Sequence, residues 1–315
     1  MRKHLAPALA GIGFFLLVAG IIASVWAPGV VKKTPLKVDT TTLLTGEAAK
    51  IDTSGRMITK PIYAENRTMV DSSVSDDSTV VWSQRSCVAF GAEGRCFDQR
   101  NPNRIVVPTD ELVTGSSLVF GSDRVTAEGV GTSRLPQKVQ DAGGVATKGL
   151  INKWPFDTAK RDYTYWDSTI GEELPATFER TARIDGLQTY VFQVQAEKVA
   201  IDVAPNTPGV YSSTKEIYVE PATGSIINQT EQQERWLADG TKVLDLSVGF
   251  TKGQISANVA DAESNRSSIA LITRVVPLVG FIGGGALLAA AALLVARRRS
   301  QVRVERADGR TLVDA

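Results

Sequence analysis

Cys87 and Cys96 are the only cysteines of this chain, and the loop between them carries Gly91 and Gly94. Such a pair can form a disulfide, run redox chemistry or hold a metal. The spacing is too wide for Cys-x-x-Cys redox chemistry, so a structural bridge closing a short glycine-bearing loop is expected. It would contribute roughly 2–3 kcal/mol on the chain-entropy model. The single histidine, His4, sits close to the N-terminus. The rest of the chain therefore offers no histidine-dependent triad, no Cys–His dyad and no zinc site that needs imidazole. No glycine-rich phosphate loop follows a strand-like run. Carboxylate chemistry is the option left, since glycoside cleavage needs only two suitably spaced acids. Acids are spread along the chain and no pair stands out. The sequence is read as non-enzymatic, with no cofactor and no metal.

Another group of residues could bind rather than react. Trp154, Phe156, Tyr163, Tyr165 and Trp166 crowd one short segment, with Lys153, Lys160 and Arg161 between them. Aromatic walls with interleaved cations suit a groove for an amphiphile; taken singly, each ring also suits ordinary core packing. Asp71 to Thr79 is a run of Asp, Ser and Thr around one valine. It reads as a solvated turn, because it lacks the spaced ligands and closing Glu of a calcium loop. Asn-x-Ser/Thr triplets at Asn66, Asn228 and Asn265 arise easily by chance and receive no role.

The elements that must position these residues begin with two uncharged apolar runs, Leu5 to Trp26 and Val275 to Ala296. Either makes a helix of about 33 Å, enough to cross a hydrocarbon core of about 30 Å. Arg2 and Lys3 precede the first run, and Arg297, Arg298 and Arg299 follow the second. The positive-inside rule then places both termini in the cytoplasm of a plasma-membrane protein. The organisation expected is a cytoplasmic N-tail (1–4), a transmembrane helix (5–27), an extracytoplasmic β-rich domain (28–273), a second transmembrane helix (274–296) and a cytoplasmic Arg-rich tail (297–315), read as disordered. A cleaved signal peptide is the rival reading of the first run. The run is longer than a usual signal core and Pro28 would follow the cut, which favours an uncleaved anchor. Within the helices, Gly280 and Gly284 form a Gly-x-x-x-Gly pair, and Gly20 and Ser24 a small-x-x-x-small pair. Both suit close helix packing, within the chain or with a partner.

The formal net charge is +1, yet acids outnumber bases in the loop between the helices. That loop has no basic stripe, so nucleic acid is discounted as a partner. Its external compartment permits the disulfide. From Thr177 to Phe250, Asp185-Gly186 and Asp239-Gly240 each separate two strand-like runs, as two-residue hairpin turns do. Pro221-Ala222-Thr223-Gly224 marks a further turn. Phe178, Ala182 and Ile184 are assigned one face, Tyr190, Phe192 and Val194 another, and Leu244, Leu246, Val248 and Phe250 alternate with polar or small residues. An antiparallel meander of about five strands follows. Ile255 to Ile272 switches to helical spacing and leads into the second span. The fold class is α+β, with a β-rich and mainly antiparallel domain between two transmembrane helices.

Three neighbouring blocks, Trp154-Pro155-Phe156, Lys160-Arg161-Asp162-Tyr163 and Tyr165-Trp166-Asp167, resemble an actinobacterial membrane family labelled porin PorA. Gly186-Leu187-Gln188-Thr189-Tyr190-Val191-Phe192 and Val219-Glu220-Pro221-Ala222-Thr223-Gly224 are similar to its other recurrent blocks, and the terminal helices match as well. The resemblance implies a cell-envelope protein of mycolic-acid-bearing bacteria, associated with glycolipid trafficking, lipoglycan maturation and polar growth. The architecture is also similar to scavenger receptor class B proteins, which set a lipid-conducting β-rich domain between two helices. No catalytic residues carry over. The porin label sits against the physics, since a membrane barrel crosses with amphipathic strands rather than apolar helices.

These observations lead to an anchored, non-enzymatic envelope protein whose external domain binds or shuttles a lipid or glycolipid, beside an envelope lipid transporter or glycosyltransferase. A ligand-free scaffold is the alternative and a channel the third reading. A carrier must hide its acyl chain, at about 0.8 kcal/mol per buried methylene. Tyr190, Phe192, Leu244 and Leu246 are therefore expected to line an apolar pocket, with Trp154, Phe156, Tyr163, Tyr165 and Trp166 at its mouth. The topology is checked with protease added outside intact spheroplasts. The loop should be digested while an epitope placed after Arg310 survives, and loss of that epitope would refute the hairpin.

Overall fold

Period-two alternation dominates the middle of the chain, and it folds there into one antiparallel sheet. The computed structural model describes residues 4–311 except 53, 99, 102 and 103, with side chains described as far as Arg297. Arg2 and Lys3, and the side chains of Arg298 and Arg299, which carried the orientation argument, lie outside the described residues. The chain divides into two units, Lys33–Asn265 and the terminal segments Met1–Lys32 with Arg266–Ala315.

In the first unit the strands are β1 (Asp39–Ile51), β2 (Met57–Val70), β3 (Thr79–Phe90), β4 (Leu112–Asp123), β5 (Tyr163–Asp167), β6 (Glu172–Ile184), β7 (Leu187–Ala204), β8 (Thr207–Glu220), β9 (Ser225–Leu237) and β10 (Lys242–Phe250). Their spatial order is β4-β3-β2-β1-β10-β9-β8-β7-β6-β5, so the pairing of β1 with β10 joins two meanders. Strands β6 to β10 are the expected five. The fold is α+β.

The sheet curls, and the segment between β4 and β5 covers both of its edges. The Val130 and Val145 amides donate to Gly121 and Val119 on β4, while the Leu150 amide donates to Thr164 and the Trp166 amide to Leu150 on the β5 side. Ile151 and Trp166 pack with Val80, Trp82 and Phe120 of β3 and β4. Covering an edge removes a row of unpaired backbone groups that would otherwise template aggregation.

The turns follow the sequence in part. Asp185 and Gly186 both take positive φ, 47° and 86°, and close a two-residue hairpin between Ile184 and Leu187. At Asp239-Gly240 only Gly240 has positive φ, and the loop is longer, closed by the Leu237 amide on the Thr241 carbonyl. Phe178, Ala182 and Ile184 do not share a face. A bulge between Phe178 and Arg180 switches the alternation, so Phe178 points inward while Ile184 packs on the outer side. Helix α3 (Gln137–Asp141) lies in the segment that covers the sheet edges. The outer side at Leu187 and Ile227 is covered by Val259 and Ala262 of helix α4 (Lys252–Ala270). Asn258 ties that helix down by donating to the Ile226 and Ile227 carbonyls at 3.3 and 3.1 Å.

The other unit contains α1 (Leu5–Val25), α2 (Ala27–Val31) and α5 (Val276–Thr311). Both long helices are long and apolar enough to cross a bilayer. A π-helical turn at Leu271–Val275 precedes Pro277, whose missing N–H and ring would disturb a regular ladder at that point. The helix continues to Thr311, a correction to the disordered tail, as Arg, Gln, Glu and Ala there are good helix formers. The two helices pack through a seam of small residues. Ala6, Gly13, Gly20 and Ala27 recur every seventh position on α1 and α2, and Pro277, Gly284 and Ala291 do so on α5. A Cβ on Gly13 would lie 2.9 Å from the Gly284 carbonyl oxygen, and one on Gly280 would lie 2.8 Å from the Gly20 Cα. Pairing is thus within the chain. Ser24 takes no part; it is exposed and its hydroxyl donates to the Ile21 carbonyl. Oxidation of an Ala6→Cys/Ala291→Cys pair should cross-link the helices efficiently, and adding Gly284→Leu should cut the yield several-fold. An unchanged yield would show that the seam does not need glycine.

Candidate functional site

Blocks that carried the family resemblance, from Trp154 to Gly224 in sequence, come together in the fold. Trp154-Pro155-Phe156 docks on the turn between β8 and β9. The Trp154 amide donates to the Gly224 carbonyl at 2.9 Å, and Thr158 donates through its amide to Pro221 and through its hydroxyl to Pro155. Gly224 has φ of 71°, and a Cβ there would stand 2.1 Å from the Trp154 carbonyl oxygen. Only glycine satisfies both the turn and the contact. Glu220, buried under the turn, accepts from the Ala222 and Thr223 amides and from the Thr223 hydroxyl. Lys153 spans the join: its ammonium donates to the Trp154 and Thr223 carbonyls and lies 3.7 Å from the centre of the Phe156 ring. Burial brings the Lys153 ammonium down to about 7, against a smaller opposing pull from Glu220.

Inside the curl, Trp154 stacks on Phe192 at 5.4 Å and on Tyr165 at 6.1 Å. Tyr163 and Phe178 meet Phe192 edge-on, and Phe178 meets Tyr190 in the same way. Trp154 and Phe192 are wholly buried. The indole N–H of Trp154 finds no partner among the described residues.

Beside these rings lies a buried ionic cluster. The Lys215 ammonium donates to Asp167 at 2.5 Å and stands 3.8 Å from Glu231. Asp167 also accepts from the Tyr211 hydroxyl at 3.3 Å and from the Thr169 amide at 2.8 Å. Ser213 donates to Glu231 at 3.0 Å, and Lys215 lies 5.5 Å from the centre of the Tyr165 ring. Burial alone would raise the Asp167 carboxyl, but Lys215 and the Thr169 and Ile170 amides outweigh it and hold the carboxyl below its ordinary range. Burial would lower the Lys215 ammonium, but Glu231, Tyr165, Asp167 and Tyr211 together raise it well above its ordinary value. Burial pushes the Tyr165 hydroxyl up to about 12. The cluster is therefore a charged pair at all ordinary pH.

The residues expected to line one lipid pocket fall in separate packed clusters. Trp154, Tyr163, Tyr165, Tyr190 and Phe192 pack on one another in one cluster. Leu244 and Leu246 belong to a second, with Ala48, Ile62, Ala64 and Val88. Trp166 joins a third near β3 and β4, and Phe156 lies under Lys153 outside all three. The reason is register. The inward rows run Leu246–Gln233–Ser213–Ala196 and Val248–Glu231–Lys215–Val194, so polar side chains of β8 and β9 divide the two apolar regions. This division was missed in the sequence. A signal was present, since Lys215 shares parity with Tyr211, Ile217 and Val219.

Cys87 and Cys96 form the expected disulfide, with Cα atoms 5.9 Å apart. The Cys96 amide donates to Glu65 at 2.9 Å, and Phe97, Tyr63 and Leu112 pack around the bridge. In the Asp71 to Thr79 turn, Asp71 and Asp76 accept from the amides and hydroxyls of Ser73 and Ser78. Among the described residues no group of three or more His, Cys, Asp or Glu is placed to hold a metal.

Two helices long and apolar enough to cross a membrane, and a sheet curled around an aromatic and ionic core, are consistent with a membrane protein carrying a β-rich domain. The profile of the porin PorA family matches residues 5–293, and the chain belongs to that family. No characterised protein shows significant similarity to it.

Asp167→Ala should cost about 3–5 kcal/mol, because it leaves Lys215 charged and unpaired in the interior. Asp167→Leu with Lys215→Met should recover most of that loss. Since the folded Asp167 carboxyl titrates below its unfolded value, its contribution is complete above about pH 5 and is lost progressively as pH falls through the unfolded and then the folded value. Denaturant unfolding of the detergent-solubilised protein should accordingly lose stability more steeply on acidification in the parent than in the double variant. Equal slopes would show that the pair is not what acid attacks.

Proposed function

We propose that this protein is a non-enzymatic organiser of the cell envelope. Its helices sit in the plasma membrane with both termini in the cytoplasm, and its β-domain engages other envelope components through its outer surface. The observation that carries this reading is the packing of the interior. The rings expected to wall an acyl-chain site stack on one another, and charged side chains lie between them and the second apolar cluster. A domain filled in this way suits a rigid partner-binding body better than a lipid carrier. The partners that fit are an envelope lipid transporter or a glycosyltransferase, with lipid or glycolipid met at the surface.

A channel is the second reading, favoured by the family's name. The outward faces of the central strands carry Thr230, Gln232, Thr214, Gln193 and Ser247, which oppose a strand-walled pore in lipid. A conducting path would have to be lined by helices of several copies.

The readings separate on the purified full chain. Lipid extraction and mass spectrometry after thorough detergent exchange should find no acyl lipid near one per chain, and planar bilayers should show no unitary conductance steps. One tightly held lipid per chain, released by Phe192→Asp, would restore the carrier. Reproducible steps altered by substitutions at Gly280 would establish the channel.

A further inference from the structure

The outer face of β7 to β10 carries a groove lined mainly by hydroxyl and amide side chains. Its volume is about 480 Å³, and an adjoining stretch of about 430 Å³ shares Thr214, Gln232 and Ser247 with it. The register explains the composition. One row across the sheet runs Gly249, Thr230, Glu216 and Gln193, and the next runs Ser247, Gln232 and Thr214. Gly249 leaves the row open where a side chain would stand. Among the described residues, the side chains of Gln193, Thr214, Thr230, Gln232 and Ser247 make no hydrogen bond within the protein. That contrasts with the interior, where Lys215 pairs with Asp167 and Glu231, and Ser213 donates to Glu231.

The cations at the two ends of the groove are paired within the protein, while Glu197 on its margin is exposed and, among the described residues, unpaired. Glu216 is held by the Arg180 guanidinium at 2.9 Å and by the Tyr218 hydroxyl at 2.9 Å. Lys242 pairs with Glu234 and Asp245 and lies 5.6 Å from the centre of the Trp236 ring. By register, the half-buried rings of Tyr218 and Trp236 stand on the same side of the sheet just beyond the two ends of the groove, with Arg180 5.8 Å from the centre of the Tyr218 ring. Along β8 they are separated by the eight residues from Tyr218 to Val210, which pairs with Trp236, or about 26 Å of strand.

We propose that this groove binds a neutral polyhydroxylated ligand, an oligosaccharide or the sugar head group of a glycolipid. A sugar hydroxyl both donates and accepts, and so do the hydroxyls and amides of the groove. An anionic polymer would meet no unpaired cation there, and an acyl chain would meet little apolar surface. Flanking aromatic rings offer the flat apolar platforms on which the C–H faces of sugars rest. The inference does not depend on the interior being filled, because the groove lies on the opposite face of the sheet.

The test uses the full chain in detergent on an array of neutral oligosaccharides and of uronate- or phosphate-bearing ones. Retention of at least one neutral glycan is expected, weakened at least tenfold by Gln232→Leu with Thr214→Val and by Trp236→Ala. Ser117→Ala, at an exposed position of β4, should leave binding unchanged, and matched unfolding midpoints should show that each variant folds. Glycan arms with and without an acyl tail tell free sugar from glycolipid head group. Absence of any neutral ligand, a preference for the anionic arms, or binding untouched by the groove variants would each overturn the proposal. The proposal deepens the organiser reading, in which glycolipid is met at the outer surface, but that reading is tested by lipid retention and conductance, so the two failures are distinguishable.

Discussion

The contact between Lys215 and Asp167 shapes the β-domain. Asp167 ends the edge strand β5, and Lys215 lies on β8, three strands away in the same sheet. In a flat sheet those strands would stand about 14 Å apart, beyond the reach of any salt bridge. A hydrogen-bonded contact of 2.5 Å therefore requires the sheet to bend around its own interior. The Tyr211 hydroxyl on Asp167 and the stacking of Trp154 between Phe192 and Tyr165 impose the same bend. Once the sheet is curled, the segment between β4 and β5 can bond to both edges.

A buried pair of charges is an expensive way to hold a bend. Removing two ions from water costs several kcal/mol each, and only close geometry with full hydrogen bonding offsets that. Asp167 meets this condition with contacts from Lys215, Tyr211 and the Thr169 amide. The consequence is a divided interior. Aromatic packing fills one side, aliphatic packing fills the other, and polar side chains of β8 and β9 stand between them. A continuous acyl-chain tunnel would have to pass through that polar band. The same alternation turns the hydroxyls and amides of these strands outward, so interior and surface chemistry have one origin.

Membership of the porin PorA family and the curled sheet point in different physical directions. Strands of a membrane barrel show lipid an apolar band, while these show solvent a polar one. Among the described residues, the helices of membrane-spanning length and apolarity are these two, which close on each other through glycine and alanine.

The sequence alone determined the features that local chemistry settles. Two uncharged runs are long enough to span a bilayer, Asp185-Gly186 permits a positive-φ hairpin, two lone cysteines with a glycine-bearing loop make a bridge, and five alternating segments make a meander. Each depends on residues close together in the chain. Tertiary structure decided which alternating residues face one another. The bulge after Phe178 reversed the faces assigned to Ala182 and Ile184, because one extra residue inverts a period of two. The pairing of β1 with β10 and the meeting of Lys215 with Asp167 join residues far apart in sequence, and no local propensity encodes such partners. For that reason the aromatic segment could be recognised as a cluster, while its role as packed core rather than pocket wall depended on the curl of the whole sheet.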